Sequence, residues 1–134
     1  MYDLTKVYSG VRSADGSPVI VKVSGRKLRV RLDLFNHSPD GFEWGYGGSG
    51  PAQLALAILV DALDDDERAV KLHQEFKWSV VGRFPHEGWK ITAEQVLTAV
   101  RQIDKKRSEK KSNAEILNTE VRKVSQKGAG DQGD

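Results

Sequence analysis

Residues 51–63 read PAQLALAILVDAL, and their reading decides the fold. Beyond Ala52 only Gln53 and Asp61 are polar, so a helix over Pro51–Leu63 has no wet face and must be covered on every side. Such a helix is the centre of a core. Pro51 suits the first helical turn, where its missing N–H removes no hydrogen bond, and Gly50 then falls at the N-cap. The apolar run Leu54 to Val60 is far short of the ~20 residues that a membrane span needs.

The segments before this helix are the expected cover. Val7 to Arg12 reads as a strand and runs into the turn dipeptide Asp15-Gly16. Pro18 to Ser24 follows, with Val19, Val21 and Val23 alternating. Residues 27–34 show the same period: Leu28, Val30, Leu32 and Leu34 on one side, Lys27, Arg29, Arg31 and Asp33 on the other. Three antiparallel strands with one wet face are expected. Phe42, Trp44 and Tyr46 recur at period two, which predicts three aromatics on one face of an extended segment ending in the glycines before Pro51.

After the central helix, Asp64–Asp66 predicts a second helix capped by Asp64, with Ala69, Leu72, Phe76 and Val80 as its apolar stripe. Gly82 to Gly88 reads as a loop or short extended piece. Thr92-Ala93-Glu94-Gln95 is a capping box, flanked by Ile91 and Val96 at staple spacing, so a third helix starts at Ala93 with Val96, Val100 and Ile103 inward. Ser112-Asn113-Ala114-Glu115 predicts a further helix start, with a thin apolar line of Leu117, Val121 and Val124. The fold class is therefore α+β: a small, mainly antiparallel sheet on a buried helix, two further helices and a charged helical tail. The expected organisation is one domain over 1–103, a basic helical tail over 104–127 and a disordered end over 128–134.

Composition narrows the function classes. The chain has 134 residues, 38% hydrophobic and 30% charged, as an ordinary globular domain does. It has no cysteine, which excludes disulfides, a thiolate nucleophile and cysteine-held metal sites. No secretory signal is read at the N-terminus, and a cytoplasmic location is expected. The net charge of +2 is unevenly placed: 1–103 holds 13 basic and 13 acidic residues, whereas 104–127 holds 8 against 4.

Residues 37–59, HSPDGFEWGYGGSGPAQLALAIL, resemble a family of small bacterial and phage proteins classed only as a domain of unknown function. FKW (Phe76 to Trp78) and GWKIT (Gly88 to Thr92) are similar to that family too. The resemblance spans about residues 5–100 and omits the tail. It implies a phage or mobile-element setting and brings no activity or catalytic residue with it.

The glycine run fits G-x-G-x-x-G on paper, but an aromatic strand precedes it and no βαβ unit surrounds it, which rules out a dinucleotide-binding fold. Pro51-Ala52 stands where a Walker A loop needs Lys-Ser/Thr. The local physics is separate from the motif. Glycine backbone N–H groups beside a helix N-terminus attract anions. The expected working surface is Phe42, Trp44, Tyr46, Gly47, Gly48, Ser49, Gly50 and Gln53, with Arg29 and Arg31 as counter-charges. It would take a nucleotide-like or phosphate-bearing small molecule, or a host protein, without catalysis, cofactor or metal. One form of this is an inhibitor or sequestering factor acting on host defence. The competing reading makes the glycines a strand-to-helix turn and the aromatics core.

Two further readings compete. A nucleic-acid accessory protein would use Lys22, Lys27, Arg29 and Arg31 on the wet strand face, with Lys105, Lys106, Arg107, Lys110 and Lys111 in the tail. A hydrolase or metal enzyme would use His37, Asp40 and Glu43, which are close enough in sequence to converge. No membrane partner is expected, and the apolar line of the tail suits a homodimer.

Overall fold

The computed structural model of the chain describes residues 2–15 and 19–132, with side chains as far as Glu120. Strands β1 (Val7–Val11), β2 (Ile20–Val23) and β3 (Arg26–Lys27) form a meander, and β4 (Gly88–Thr92) adds to its other side. The sheet order is β3-β2-β1-β4, antiparallel throughout. Helices α1 (Ser49–Leu63), α2 (Asp66–Ser79) and α3 (Ala93–Gln132) complete the α+β architecture. No helix among the described residues is long and apolar enough to cross a membrane.

Tyr8, Val21, Trp89 and Ile91 face inward from the sheet and are buried. Helix α1 is the centre the sequence predicts: every residue from Gly50 to Val60 is buried. Beyond Ala52 its two polar residues each tie it to something else. The Asp61 carboxylate accepts from the Tyr8 hydroxyl (2.7 Å) and the Lys6 ammonium (3.0 Å), which fastens the helix to β1 and the residue before it. Burial and the neighbouring carboxylate push the Tyr8 phenol far up, so it stays a donor. The Gln53 side chain holds the connection before α1, as described below.

Three predicted boundaries shift. The expected strand over 27–34 ends at Lys27, because only Arg26 and Lys27 pair with β2. Beyond Leu28 the backbone leaves the sheet, and Arg31 takes a left-handed conformation (φ 58°) that no strand contains. Leu32 therefore faces solvent instead of joining Leu28 in the core. The N-cap of α1 is Gly48, not Gly50, which puts Pro51 inside the first turn. Asp64 turns out to be the C-cap of α1 (φ 50°), and Asp65 caps α2 by accepting from the Arg68 amide.

The α2 stripe holds, with Ala69, Leu72 and Phe76 buried, and so does the start of α3. There the Gln95 side chain accepts from the Thr92 amide (2.9 Å) while the Thr92 hydroxyl accepts from the Gln95 amide (3.1 Å). Gly88, where the expected loop ends, opens a fourth strand, β4, whose Trp89 and Ile91 point inward. The chain divides into a unit of residues 1–103 and a second of 104–134. In the second unit α3 continues to Gln132, running through Ser112–Glu115, where a new helix start was expected. Ile116 and Leu117 are exposed there, while the side chains of Val121 and Val124 lie outside the described residues.

Candidate functional site

Between β3 and α1, residues 28–48 contain no helix or strand. Irregular connections longer than about 12–15 residues are uncommon in compact domains and are usually functional or disordered. This one is pinned at five places by side chains. Gln53 Oε1 accepts from the amides of His37 (2.8 Å) and Ser38 (3.3 Å), and its Nε2 donates to the Val30 carbonyl (2.7 Å). Arg31 bridges Asp33 and Asp66. His37 Nε2 lies 2.8 Å from His73 Nε2 on α2. Glu43 accepts from both terminal guanidinium nitrogens of Arg12, whose hydrogen bonds hold its carboxylate below the ordinary range. Trp44 Nε1 donates to the carbonyls of Pro85 (2.9 Å) and His86 (3.0 Å).

The histidine pair has assignable tautomers. His73 Nδ1 donates to the Val70 carbonyl at 2.6 Å, which leaves its Nε2 as the acceptor for the proton on His37 Nε2. Phe35 stacks on the His37 ring at 4.2 Å. Burial lowers the pKa of both rings, and the positive Lys77 adds to the effect.

So anchored, the connection forms one wall of a groove of about 680 Å³. Phe42, Tyr46, Ser49 and Gly50 of the predicted surface line it, together with Asp40 and Glu43. Lys27, Arg12 and Ser38 line it as well, and Val19, Ile20 and Val21 bring β2 to its side. Ser49 and Gly50 belong to the first turn of α1, which has neither a side-chain cap nor an acidic residue. The groove is thus open to the positive end of the central helix. No carboxylate pairs with Lys27 among the described residues.

The remaining expected residues are elsewhere. Trp44 is buried (1% exposed), with the Arg12 guanidinium over its ring at 4.8 Å, and it borders a smaller hollow of about 300 Å³. The three aromatics do not share a face, because Gly45 at φ 87° turns the chain between Trp44 and Tyr46. Gly47 is covered by the Trp78 ring and Gly48 by the Tyr46 ring. Gly50 is sterically required: a Cβ there would lie 2.6 Å from Glu43 Cβ and 3.2 Å from its backbone nitrogen. Gln53 is buried and spends its side chain on the connection. Arg29 and Arg31 line a different hollow of about 470 Å³, beside Lys6 and Asp61.

His37 does not join Asp40 and Glu43, which share the groove. His37 faces His73, Glu43 faces Arg12, and the described residues hold no cluster of three metal-ligating acids or histidines. Arg12 and Ser38 escaped the sequence reading because their partners are 31 and 15 residues away, and spacing carries no trace of such pairs. Trp78, 62% exposed with the Lys77 ammonium 4.4 Å from its ring centroid, had a visible signal: a large aromatic off the stripe of its own helix.

No curated protein and no solved structure matches the chain. Residues 8–102 match the family of unknown function DUF6166, and with more than half of its length matched the chain belongs to that family.

Proposed function

We propose that the protein is a non-enzymatic binding module that takes a phosphate-bearing, nucleotide-like ligand in the groove at the N-terminus of α1. One observation carries this reading. The groove collects the helix end that no side chain caps, a lysine (Lys27) with no carboxylate partner among the described residues, the hydroxyls of Ser38 and Ser49, and the rings of Phe42 and Tyr46, while Arg12 neutralises Glu43. The ligand phosphate sits against the first turn of α1 and Lys27, and its ring against the aromatics. Asp40 supplies an acceptor for a sugar hydroxyl. In the cytoplasm of a phage-infected cell, such a module would sequester a nucleotide or inhibit a host defence factor.

Thermal shift with a nucleotide panel tests this, using Ser49→Asp as the control. An aspartate in the first turn favours the helix dipole but faces the ligand phosphate. The variant should melt within a few degrees of the parent and lose at least tenfold in affinity. Unchanged binding would remove the helix end from the site.

A protein partner on the same stretch is a second reading. Tyr46 (54% exposed) and Trp78 (62% exposed) cover the consecutive glycines Gly48 and Gly47, and exposed aromatics of this kind anchor interfaces. Trp78→Ala would weaken partner capture while leaving nucleotide binding intact.

A further inference from the structure

The face of the sheet opposite the core carries a charge pattern that folding does not require. Lys22 stands directly across from Lys27 in the β2–β3 register. Ser9 is the partner of Lys22 on one side and of Lys90 on the other. Directly paired residues point to the same face, so Lys27, Lys22, Ser9 and Lys90 form one row across all four strands. With strands about 4.8 Å apart, the row is about 14 Å long. The three lysines are exposed, and no carboxylate pairs with any of them among the described residues. The next pair along the same face, Val11 and Ile20, is apolar and exposed (59% and 48%).

Like charges placed directly opposite each other destabilise a sheet. Guarding an open edge accounts for a lysine on β3 or β4. It does not account for Lys22, which lies on an interior strand and faces another lysine. The row also meets the groove, since Lys27 belongs to both.

We propose that the ligand is single-stranded nucleic acid, with one nucleotide in the groove and the adjoining backbone crossing the sheet over Lys27, Lys22 and Lys90. This rests on the groove accepting a nucleotide-like ligand. A duplex is disfavoured, because Phe42 and Tyr46 can only reach a base that has left its stack. Val11 and Ile20 give the sugars an apolar bed beside the lysines. Arg29 and Arg31 take no part: Arg31 is bound to Asp33 and Asp66, and both line another hollow.

The test compares thymidine monophosphate with a labelled hexathymidylate, and uridine monophosphate with hexauridylate, on the full chain. Calorimetry would follow the mononucleotides and fluorescence anisotropy the oligomers. The second protein is the double variant Lys22→Gln/Lys90→Gln, which leaves the groove untouched. The hexamers should bind at least tenfold more tightly than the mononucleotides at low salt, and the RNA and DNA arms separate the two sources of the same backbone. In the double variant this advantage should disappear while mononucleotide affinity is unchanged. Its slope of log affinity against log salt should be shallower by about 1.4, at about 0.7 per lost single-strand phosphate contact. Hexamers that bind no more tightly than mononucleotides, or an unchanged slope in the variant, would overturn the lysine path and leave the groove reading standing. Failure of every mononucleotide and oligomer to bind would overturn both.

Discussion

Helix α1 and the connection over residues 28–48 lie against each other, yet opposite kinds of force hold them. The helix is regular and apolar, and burial on all sides fixes it. The connection has no repeating hydrogen bonds: Leu28 and Trp44 sink into the core, and the stretch between them is held by a few directional contacts from Gln53, Arg12, His73 and Asp66. Burial is non-directional and roughly proportional to area, so it tolerates changes of shape better than loss of volume. A polar anchor tolerates the reverse, because a lost partner leaves a buried donor or acceptor without water. The groove has one wall of each kind. Its helix end is rigid, and its loop wall is only as firm as the anchors.

The largest test of this contrast is in the helix. Leu56→Ala and Ile58→Ala remove side chains that are fully buried, and each should lower the unfolding free energy by about 2–5 kcal/mol in denaturant titration. If both variants unfold like the parent, α1 is not the centre of the core.

A smaller and more local effect is expected from Gln53→Leu, which keeps the volume and removes the anchor. The amides of His37 and Ser38 and the Val30 carbonyl lose their partner, at about 1–3 kcal/mol. Hydrogen exchange should quicken over residues 30–38 more than in α1. Equal acceleration in both would mean that the two regions open as one unit.

The smallest effect is set by pH. The folded chain holds His37 and His73 below their ordinary value of 6.5, chiefly through burial. The unfolded chain therefore binds more protons just below that pH, and stability rises with pH there. The contribution is complete above about 6.5 and is lost as the pH falls through the lowered folded values. Protonation of both rings also removes the acceptor that joins them. Going from pH 7 to pH 5 should lower the melting temperature of the parent more than that of His73→Phe. Parallel pH profiles would remove the pair from the anchors of the connection.

The sequence shows where a structural cause is local. The Thr92–Gln95 capping box, the α2 stripe and the bare apolar run of α1 each follow from residues within a turn or two of one another. Leu28 to Leu34 was misleading because alternation states which way residues would point if a partner strand were present. Past Lys27 there is none, and Arg31 turns away to reach Asp66, 35 residues on. β4 is faint in the sequence because its alternation spans five residues and runs directly into the capping box at Thr92. The candidate site divides in the same way. Phe42, Tyr46, Ser49 and Gly50 were legible as a cluster in sequence, whereas Arg12, Ser38 and the shared place of Lys27 were not.

By itself the sequence determined that a helix without a polar face must be wrapped, that short alternating segments wrap it, and that the basic excess belongs to the far end of the chain. Those conclusions depend on periodicity and composition, which a chain carries before it folds. The tertiary structure alone decided which glycines are turns and which are close contacts. It also decided that His37 meets His73 instead of Asp40, and that Lys22, Lys27 and Lys90 stand in one row. Contacts between residues tens of positions apart depend on strand register and on the path of an irregular backbone, and both are set by the packing of the whole core.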